Sequence, residues 1–553
     1  MKYLLICFAL LSSLMASSQK VKKWNRTLYF NAKIYTVDSS FSVQEAMVVE
    51  NGKISAVGKS GILSKGFGPA NMVDLKGKFV YPGFIDAHCH LFGLGVSMQI
   101  VDLVGTKSIE AVVERCKAFA KLHPEKKYIM GRGWDQNDWA VKAYPNKEIL
   151  DKDFPNIPVV LKRIDGHAAW VNSITLELSK IDAEAKVEGG EILLTDGKPN
   201  GILIDNAVDL VMGVIPKMNE AEKRRAYSDA MKVCNANGLT SVLDAGIERD
   251  TFLTLREMWH NQKTYTLNNY QLFTPTQNNL ESYFIDIDSA ANDNDPVPQR
   301  DLKIKGLKVY VDGALGSRGA LLLQPYTDRH ESRGFLLTDV NELKRLARLC
   351  YKYNYQFNTH CLGDSAVRLM LNIMGEVLGG PNDRRWRIEH CQIVAPEDLA
   401  LFKKYSIIPS VQPTHATSDM YWAGERLGID RLKTAYANKD LLKAAGTVAL
   451  GTDFPVEAVS PLYTFASAVW RMDDKEFPKG GFQMENALTR EEALRGMTIW
   501  AAHSIFEEKN RGSLEKRKYA DFVILDKDLM KCTFQEARNN KVLGTYLSGE
   551  KVY

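Results

Sequence analysis

The central part of this 553-residue chain alternates short apolar strands with amphipathic helices. This alternation is typical of βαβ units, in which helices connect the parallel strands of one sheet. The candidate strands are, in chain order, residues 84–87, 239–243, 270–273, 307–311, 356–359, 387–389, 407–411 and 447–450. Eight strands of this kind predict an α/β fold, a TIM-like (β/α)8 barrel, whose functional side chains lie at the carboxyl ends of the strands.

Both ends of the chain differ from this centre, because they read as short strands and turns. We predict that residues 19–81 and 505–553 together form one discontinuous β-sandwich domain. The barrel would then occupy residues 82–504, a span much longer than the roughly 250 residues of a typical barrel. The surplus falls at about residues 92–235, and we expect it to be an insertion that caps the mouth of the barrel.

The first residues read as a processing signal. Lys2 precedes an apolar stretch, residues 3–14, and Ala16-Ser17-Ser18 follows as a small-x-small cleavage pattern. The sequence therefore predicts a signal peptide at residues 1–18 and an exported protein, periplasmic or secreted, without a stable membrane span after cleavage. An uncleaved membrane anchor is the open alternative, although the apolar stretch is short for crossing a bilayer.

Composition argues against some classes of partner. The net charge is only +4 and no basic run is interleaved with aromatic residues, so nucleic-acid binding is not expected. Seven of the eight cysteines follow the cleavage site and are scattered, which argues against a disulfide framework. Cys89, Cys361 and Cys391 each follow a histidine, and we expect them to be small buried residues of the barrel wall.

The tripeptide His88-Cys89-His90 closes the first candidate strand. Side chains alternate between the two faces of a strand, so the two imidazoles point the same way. Two imidazoles at one strand end form half of a metal site. A lone pair of this kind is weak evidence, because nearby histidines often have no ligand role.

Four further polar residues stand at the ends of later candidate strands. Lys308 lies inside an apolar strand, His360 and His390 each end one, and Asp453 follows the eighth. Each has a structural interpretation when it is taken alone, such as a turn cap or a solvated side chain. Together with the first two histidines, however, they fall where a barrel gathers its carboxyl rim, which predicts a metal site there.

With these motifs in place, the chain resembles the amidohydrolase superfamily of metal-dependent hydrolases, and within it the branch that includes the N-substituted formamide deformylases. The resemblance covers nearly all of the mature chain, from residues 82–90 to the closing strand at residues 519–523. The stretches that resemble the branch most closely are Gly133-Trp134-Asp135, residues 165–172, residues 312–318 and residues 451–455.

The resemblance implies that His88 and His90 bind a first metal ion, which Asp453 completes, and that His360 and His390 bind a second. The implied reaction is hydrolysis by a metal-activated hydroxide, since zinc lowers the pKa of its bound water from roughly 15.7 to about 7. Asp453 would accept the proton of the water and deliver it to the departing amine. Imidazole and carboxylate ligands suit zinc best, with iron, manganese or nickel as alternatives.

Lys308 aligns with the lysine that is carboxylated in binuclear members of the superfamily, where it bridges both metals. The chemistry is consistent, because divalent cations repel an ammonium and favour the neutral amine, which can form an anionic carbamate. Lys305 is the alternative bridge, although its position three residues earlier turns it to the opposite side of the strand. A mononuclear site with an unmodified Lys308 also remains open.

Five residues are candidates for contact with a substrate: His167, Arg163, Arg318, His415 and Trp134. The first two lie in the predicted insertion, and His415, with Asp419 nearby, follows the seventh strand. Arg318 stands in a glycine-rich loop and would clamp a substrate carboxylate. A structural salt bridge or loop hydrogen bond is the alternative for each polar residue, and Trp134 could instead belong to the core of the insertion, as we expect for Trp170.

The sequence thus predicts an enzyme, a hydrolase acting on carbon–nitrogen bonds other than peptide bonds. Its substrate would be a small molecule with an amide, N-acyl or N-formyl group. Hydrolysis of an ester, a lactone or a cyclic amide on the same metals is the alternative within this class, and deamination is less favoured. A metal-retaining binding protein without catalysis is the alternative from another class, and a homodimer is conceivable.

Overall fold

The structure is a computed structural model that describes residues 26–66, 70–260, 264–275 and 300–553. The predicted signal peptide lies outside the described residues. The described strands are, in chain order, β1 (Arg26–Phe30), β2 (Lys33–Tyr35), β3 (Val43–Gln44), β4 (Ala46–Glu50), β5 (Lys53–Gly58), β6 (Asn71–Asp74), β7 (Phe79–Pro82), β8 (Phe84–Cys89), β9 (Val101–Asp102), β10 (Ile129–Trp134), β11 (Val159–Arg163), β12 (Ala168–Val171), β13 (Gly190–Thr195), β14 (Lys198–Asp205), β15 (Leu239–Ile247), β16 (Asn268–Phe273), β17 (Leu302–Tyr310), β18 (Gln356–Cys361), β19 (Arg387–His390), β20 (Ile408–Val411), β21 (Ala449–Leu450), β22 (Phe522–Leu525), β23 (Val542–Leu547) and β24 (Glu550–Lys551).

Helices connect these strands. The described α-helices are Ser60–Gly66, Leu91–Ser97, Ile109–Leu122, Glu148–Asp153, Ser173–Leu178, Asp209–Met212, Glu220–Ala236, Arg249–His260, Val340–Lys352, Asp364–Leu378, Leu399–Lys404, Pro413–Asp419, Ala423–Leu432, Asn438–Ala445, Pro461–Trp470, Arg490–Gly496, Ile499–Ser504 and Phe534–Arg538. Short 3-10 helices cover Gln136–Asp138, Asn206–Val208, Pro396–Asp398 and Met484–Asn486. Within the described ranges, no helix combines the length and the apolar character that crossing a bilayer requires.

The central sheet contains eight strands in the order β21-β20-β19-β18-β17-β16-β15-β8, and every neighbouring pair is parallel. All eight candidate strands of the sequence occur in it. Its two edges meet through backbone hydrogen bonds, because the His90 N–H donates to the Phe454 carbonyl and the Asp453 N–H donates to the His88 carbonyl, each at 2.8 Å. The sheet is therefore a nearly closed barrel, and the predicted α/β barrel fold is confirmed.

Two further sheets lie at the ends of the chain. One has the order β5-β4-β1-β6, and the other, β24-β23-β22-β7-β2-β3, combines strands from both termini. Tyr29 and Met47 of the first sheet share one apolar cluster with Ile34, Val80 and Phe522 of the second. The two sheets thus pack through a common core as a β-sandwich to which both termini contribute.

A third sheet, β13-β14-β12-β11-β10-β9, lies between the first and second barrel strands. It has its own apolar core, which includes Trp134 and Trp170. The helix Glu220–Ala236, which follows this sheet, instead packs into the barrel core through Tyr227 and Met231. The inserted sheet therefore spans residues 101–205, and the helix after it already belongs to the barrel.

The three cysteines that follow the strand-end histidines pack outside the barrel interior. Cys89, Cys361 and Cys391 lie in the apolar cluster between the barrel strands and the surrounding helices. All seven cysteines of the described residues are buried and free of disulfide bonds. Side-chain alternation explains this, since a residue next to an inward-facing histidine must face the opposite side of its strand.

Candidate metal centre

Strand β8, the first of the barrel, and the loop after β21, the last of the barrel, bring together His88, His90 and Asp453. The Asp453 Oδ1 atom lies 3.2 Å from His90 Nε2 and 3.6 Å from His88 Nε2. The donor atoms of the three residues all lie within 4.8 Å of one another, which is the arrangement of a metal-binding group. These residues are the predicted ligands of the first metal.

The local backbone explains why Asp453 reaches the histidines. Asp453 has a left-handed φ of 62°, and its N–H donates to the His88 carbonyl at 2.8 Å. Gly451 permits this approach, because a Cβ atom there would lie only 2.6 Å from the His88 backbone nitrogen. The carboxylate of Asp86 secures the same loop by accepting hydrogen bonds from the Thr452 N–H at 3.0 Å and from its hydroxyl at 2.6 Å.

A second group of possible ligands contains His390, His415 and Asp453. His415 Nε2 lies 3.6 Å from Asp453 Oδ2, and the rings of His390 and His415 are stacked with their centroids 5.9 Å apart. The sequence assigns His415 to the substrate, whereas the structure places it within ligand distance of the metal centre. His360 lies beside His390, with a centroid distance of 4.6 Å, but it belongs to neither three-residue group of the described residues.

Buried polar residues orient two of the imidazoles. The Nδ1–H of His88 donates to Glu389 Oε2 at 2.6 Å, and that carboxylate in turn accepts a hydrogen bond from Arg387 at 2.9 Å. The Nδ1–H of His390 donates to Gln412 Oε1 at 2.7 Å. Such contacts leave Nε2 of each ring for the site, as in metal-binding histidines whose other nitrogen is held by an acceptor.

Sequence reasoning missed these supporting residues, although a signal exists for one of them. Period two places Asp86 on the same strand face as His88. Glu389 carries no such signal, because alternation would turn it away from its neighbour His390, and only the left-handed φ of 73° at His390 brings both side chains inside. Gln412 carries no comparable signal, because it follows an ordinary apolar strand.

The donor set fits a divalent metal. His360 Nε2, His415 Nε2 and Asp453 Oδ1 are buried and have no hydrogen-bond partner in the described part of the chain. Burial lowers the pKa of His360 well below its usual value and that of His390 to about 3, so both rings are neutral and able to ligate. Burial alone would raise the pKa of Asp453, but the neighbouring imidazoles hold it well below its usual range.

Lys308 lies at the same centre. Its Nζ is 3.4 Å from His88 Nε2 and 4.6 Å above the ring centre of Tyr310, and it forms no ion pair with a described carboxylate. Lys305 points to the other end of the barrel, where its Nζ lies 3.4 Å from Glu507. Of the two lysines considered from the sequence, only Lys308 is near the predicted ligands.

Two cavities meet at the metal centre. One has a volume of about 680 Å³ and extends towards Trp422 and Glu457, and the other, of about 770 Å³, extends towards Lys162 and Lys308. The residues that line both include Arg132, Asp165, His167, His360, His390 and Asp453. A substrate bound in either cavity would therefore contact the same centre.

Three of the predicted substrate residues line these cavities. His167 lines both, and its Nδ1–H donates to Asp205 Oδ1 at 2.5 Å. His415 lines the first cavity, as described above. Arg163 also lines the first, but it pairs with Asp135 and Asp165. Arg163 thus lines the cavity, but its charge is already compensated by these two carboxylates.

The structure does not bring Arg318 and Trp134 to the cavities, which corrects their assignment to the substrate. The Arg318 guanidinium pairs with Asp328 at 2.8 Å and lines neither cavity. Trp134 is fully buried in the core of the inserted sheet, and its Nε1–H donates to the Leu161 carbonyl at 2.7 Å. A β-bulge at the preceding glycine turns the tryptophan into that core.

The barrel and its cluster of imidazoles and carboxylate define a metal-dependent hydrolase. The sequence profile of the amidohydrolase family matches residues 71–553, and the chain belongs to that family. It is 31% identical to the protein LONG AFTER FAR-RED 3 of Arabidopsis thaliana, over 95% of this chain and 91% of the relative. It is 27% identical to the N-substituted formamide deformylase of Arthrobacter pascens, over 94% of this chain and 97% of the relative.

Among solved structures, the chain is similar to an uncharacterized metal-dependent hydrolase from Pyrococcus horikoshii OT3. The TM-score is 0.73 and the sequence identity 26%, and the match covers 92% of this chain and 99% of the other. The similarity thus extends over nearly the whole of both chains. The similarity to this hydrolase is consistent with the family to which the chain belongs.

Proposed function

We propose that this hydrolase cleaves the C–N bond of an amide, N-acyl or N-formyl compound, with zinc as its metal. The observation that carries the proposal is the buried carboxylate of Asp453, whose two oxygens face imidazoles on both sides while Oδ1 has no hydrogen-bond partner in the described residues. This is the environment expected of a group that both holds a metal and exchanges a proton with a water.

A bound divalent ion would supply Lewis acidity and a water molecule of lowered pKa. His88, His90 and Asp453 would hold one ion, and His360 and His390 a second. Because the surrounding imidazoles keep the pKa of Asp453 low, its carboxylate is ionised at neutral pH and can accept a proton. The same oxygen would then return that proton to the nitrogen of the leaving amine.

His167 is suited to bind the carbonyl oxygen of the substrate. Its ring centroid lies 5.2 Å from that of His360, so it faces the metal centre from the inserted segment. Burial would lower the pKa of His167, but the hydrogen bond to Asp205 and the charges of Asp205, Asp165 and Asp312 together raise it. A protonated ring, held through Nδ1, can donate from Nε2 to an oxygen that becomes negative during attack.

We further propose that the neutral amine of Lys308 adds carbon dioxide and loses a proton to solvent, and that the resulting carbamate would help to hold two metal ions. Its burial beside His88 without a described anionic partner supports this, since an uncompensated buried ammonium is costly whereas a carbamate between cations is not. A mononuclear centre with an unmodified Lys308 is the alternative. In that case His415, which lies near Asp453, would be free to contact the substrate.

Other features of the protein stay proposals from sequence. The predicted signal peptide at residues 1–18 would direct export to the periplasm or the medium, and a homodimer is a further proposal. The domain boundaries 19–81 with 505–553, and 82–504 with an insertion at about 92–235, also stay proposals. The name of the Arthrobacter pascens relative supports including N-substituted formamides among the first substrates to test.

The test is hydrolysis by the zinc-loaded chain of formamides, N-acyl amines, dipeptides, esters and lactones. We expect turnover of a formamide or N-acyl amine, and a decrease of about 10²-fold to 10⁴-fold in the Asp453→Asn variant. Elemental analysis should show whether zinc is retained, because Asp453 is also a ligand. Asp138→Asn is the matched control, since Asp138 lies at the cavity rim and pairs with Lys107.

The remaining outcomes separate the alternatives. Turnover of esters or lactones without turnover of any amide would contradict C–N hydrolysis and favour the acyl-oxygen reaction on the same site. Zinc-loaded protein that turns over nothing, and that Asp453→Asn leaves unchanged, would favour a binding protein. Protein that stays metal-free when zinc is supplied would contradict the site itself.

A further inference from the structure

Arg132 is a cationic residue that the inserted sheet contributes to the metal centre. It lies on β10 and lines both cavities together with His167, His390 and Asp453. Asp453 and Asp165 are among the charged groups close enough to influence its guanidinium electrostatically. The guanidinium therefore faces the space where a substrate must lie, although it comes from outside the barrel.

A β-bulge explains how β10 directs this side chain. The pairing of β10 with β11 shifts register between Arg132 and Trp134, and the intervening Gly133 has a φ of 118°. In a regular strand Arg132 and Trp134 would share one face. The extra residue reverses the alternation, so Trp134 joins Ile129 in the core of the insertion while Arg132 remains on the cavity side.

The hydrogen bonds of Arg132 leave one edge of the guanidinium available. Its Nε–H and one Nη2–H both donate to the Ile164 carbonyl, at 3.2 and 2.8 Å. The other edge, formed by Nη1 and the second Nη2–H, has no hydrogen-bond or ion-pair partner among the described residues. Two parallel N–H groups at such an edge match the two oxygens of a carboxylate.

Nearby carboxylates are already engaged. Asp165 pairs with Arg163 through one oxygen and accepts the His167 N–H with the other at 3.0 Å. Arg163, the other arginine of the first cavity, is buried and is compensated by Asp135 and Asp165. Arg132 differs from it because its charge lacks such a partner, and Lys162, another cation of the second cavity, lies close to it.

We propose that Arg132 binds a carboxylate of the substrate, so that the compounds hydrolysed here are N-acyl amino acids rather than neutral amides. This inference rests on the proposed function. A planar carboxylate fits the free edge, and it compensates a cation that is otherwise costly to bury. Because Arg132 lines both cavities with the metal ligands, a carboxylate bound to it lies in the same space as the bond to be cleaved.

The test compares N-acetylphenylalanine with N-acetylphenethylamine, which differ only in the carboxylate, on the zinc-loaded chain. We expect kcat/KM to be about 10-fold to 100-fold higher for the acid, the range of a charged hydrogen-bonded pair. Arg132→Met should remove this preference mainly through KM, and Arg132→Lys should retain part of it. Arg225→Met is the control, because Arg225 is exposed on the helix Glu220–Ala236.

Calorimetric binding of the same two compounds keeps the test independent of turnover, and thermal unfolding verifies that each variant is folded. Tighter binding of the acid that Arg132→Met abolishes supports the carboxylate site even if neither compound is hydrolysed. Equal kcat/KM and equal binding of acid and amide by the wild type would overturn it. So would an Arg132→Met variant that weakens both compounds equally, because the residue would then serve only the Ile164 loop.

Discussion

The two ends of the barrel differ in whether their buried charged side chains form ion pairs. At the amino ends of the strands, Arg511 pairs with Asp521 and Asp301, and Lys305 lies near Glu507. At the carboxyl ends, Lys308, only three residues further along β17, has no described carboxylate partner. One strand thus carries a compensated lysine at one end and an uncompensated lysine at the other.

This difference indicates which end is structural and which is functional. A buried charge without a partner is unfavourable, and such charges gather at sites where a ligand or substrate supplies the compensation. The unpartnered atoms of His360, His415 and Asp453 gather at the same end as Lys308. Charges at the amino end hold the β-sandwich to the barrel, and those at the carboxyl end line the candidate metal centre.

The largest effect is expected at the amino end. Arg511→Met leaves Asp521 buried without its cation, and loss of one partner of a buried pair costs about 3–5 kcal/mol. Denaturant unfolding should show this loss, while kcat per folded molecule stays unchanged. Arg511→Lys should recover part of the stability. A lowered kcat in folded Arg511→Met would show that the two ends are not separable.

An intermediate effect, on metal affinity, is expected when a neutral residue that orients a proposed metal ligand is replaced. Gln412→Met removes the acceptor of the His390 Nδ1–H without changing any charge. Loss of such a contact weakens metal binding by about 10-fold to 100-fold, which competition with a chelator would measure. The exposed Gln535 provides the control variant, Gln535→Met. Unchanged zinc affinity in Gln412→Met would argue that His390 is not a ligand.

The smallest effect is expected for Arg318→Met, which tests a residue that only the sequence assigned to the substrate. Its partly exposed ion pair with Asp328 should contribute less than about 1 kcal/mol to the free energy of unfolding. Since Arg318 lines neither cavity, KM for N-acetylphenylalanine should not change. A KM that rises as much as in Arg132→Met would contradict the cavity described here.

Local patterns predicted the barrel well, and for a clear reason. Strand periodicity and the residues that end each strand are properties of a few neighbouring positions, so the eight strands could be found one at a time. The same periodicity indicated that His88 and His90 share a face and that Cys89 does not. The same alternation indicated that Lys308, and not Lys305, faces the predicted metal site.

Residues that act through partners far away in the sequence could not be found in this way. Gln412 is a partner of His390, and Glu389 of His88, across different strands. Trp134 was a candidate for the substrate, but the bulge at Gly133 turns its side chain into the core of the inserted sheet. One residue of extra backbone moves every following side chain to the other face, and a glycine within a strand marks such a bulge only weakly.

By itself, the sequence determined the strands of the barrel and the polar residues that end them, because short-range alternation dictates both. Tertiary structure alone decided which charges are compensated, which nitrogen of each imidazole faces the site, and that Arg132 rather than Arg318 borders the cavities. Compensation depends on distances between side chains that are hundreds of residues apart in the chain. Those distances exist only after the barrel has closed and the inserted sheet has packed against it.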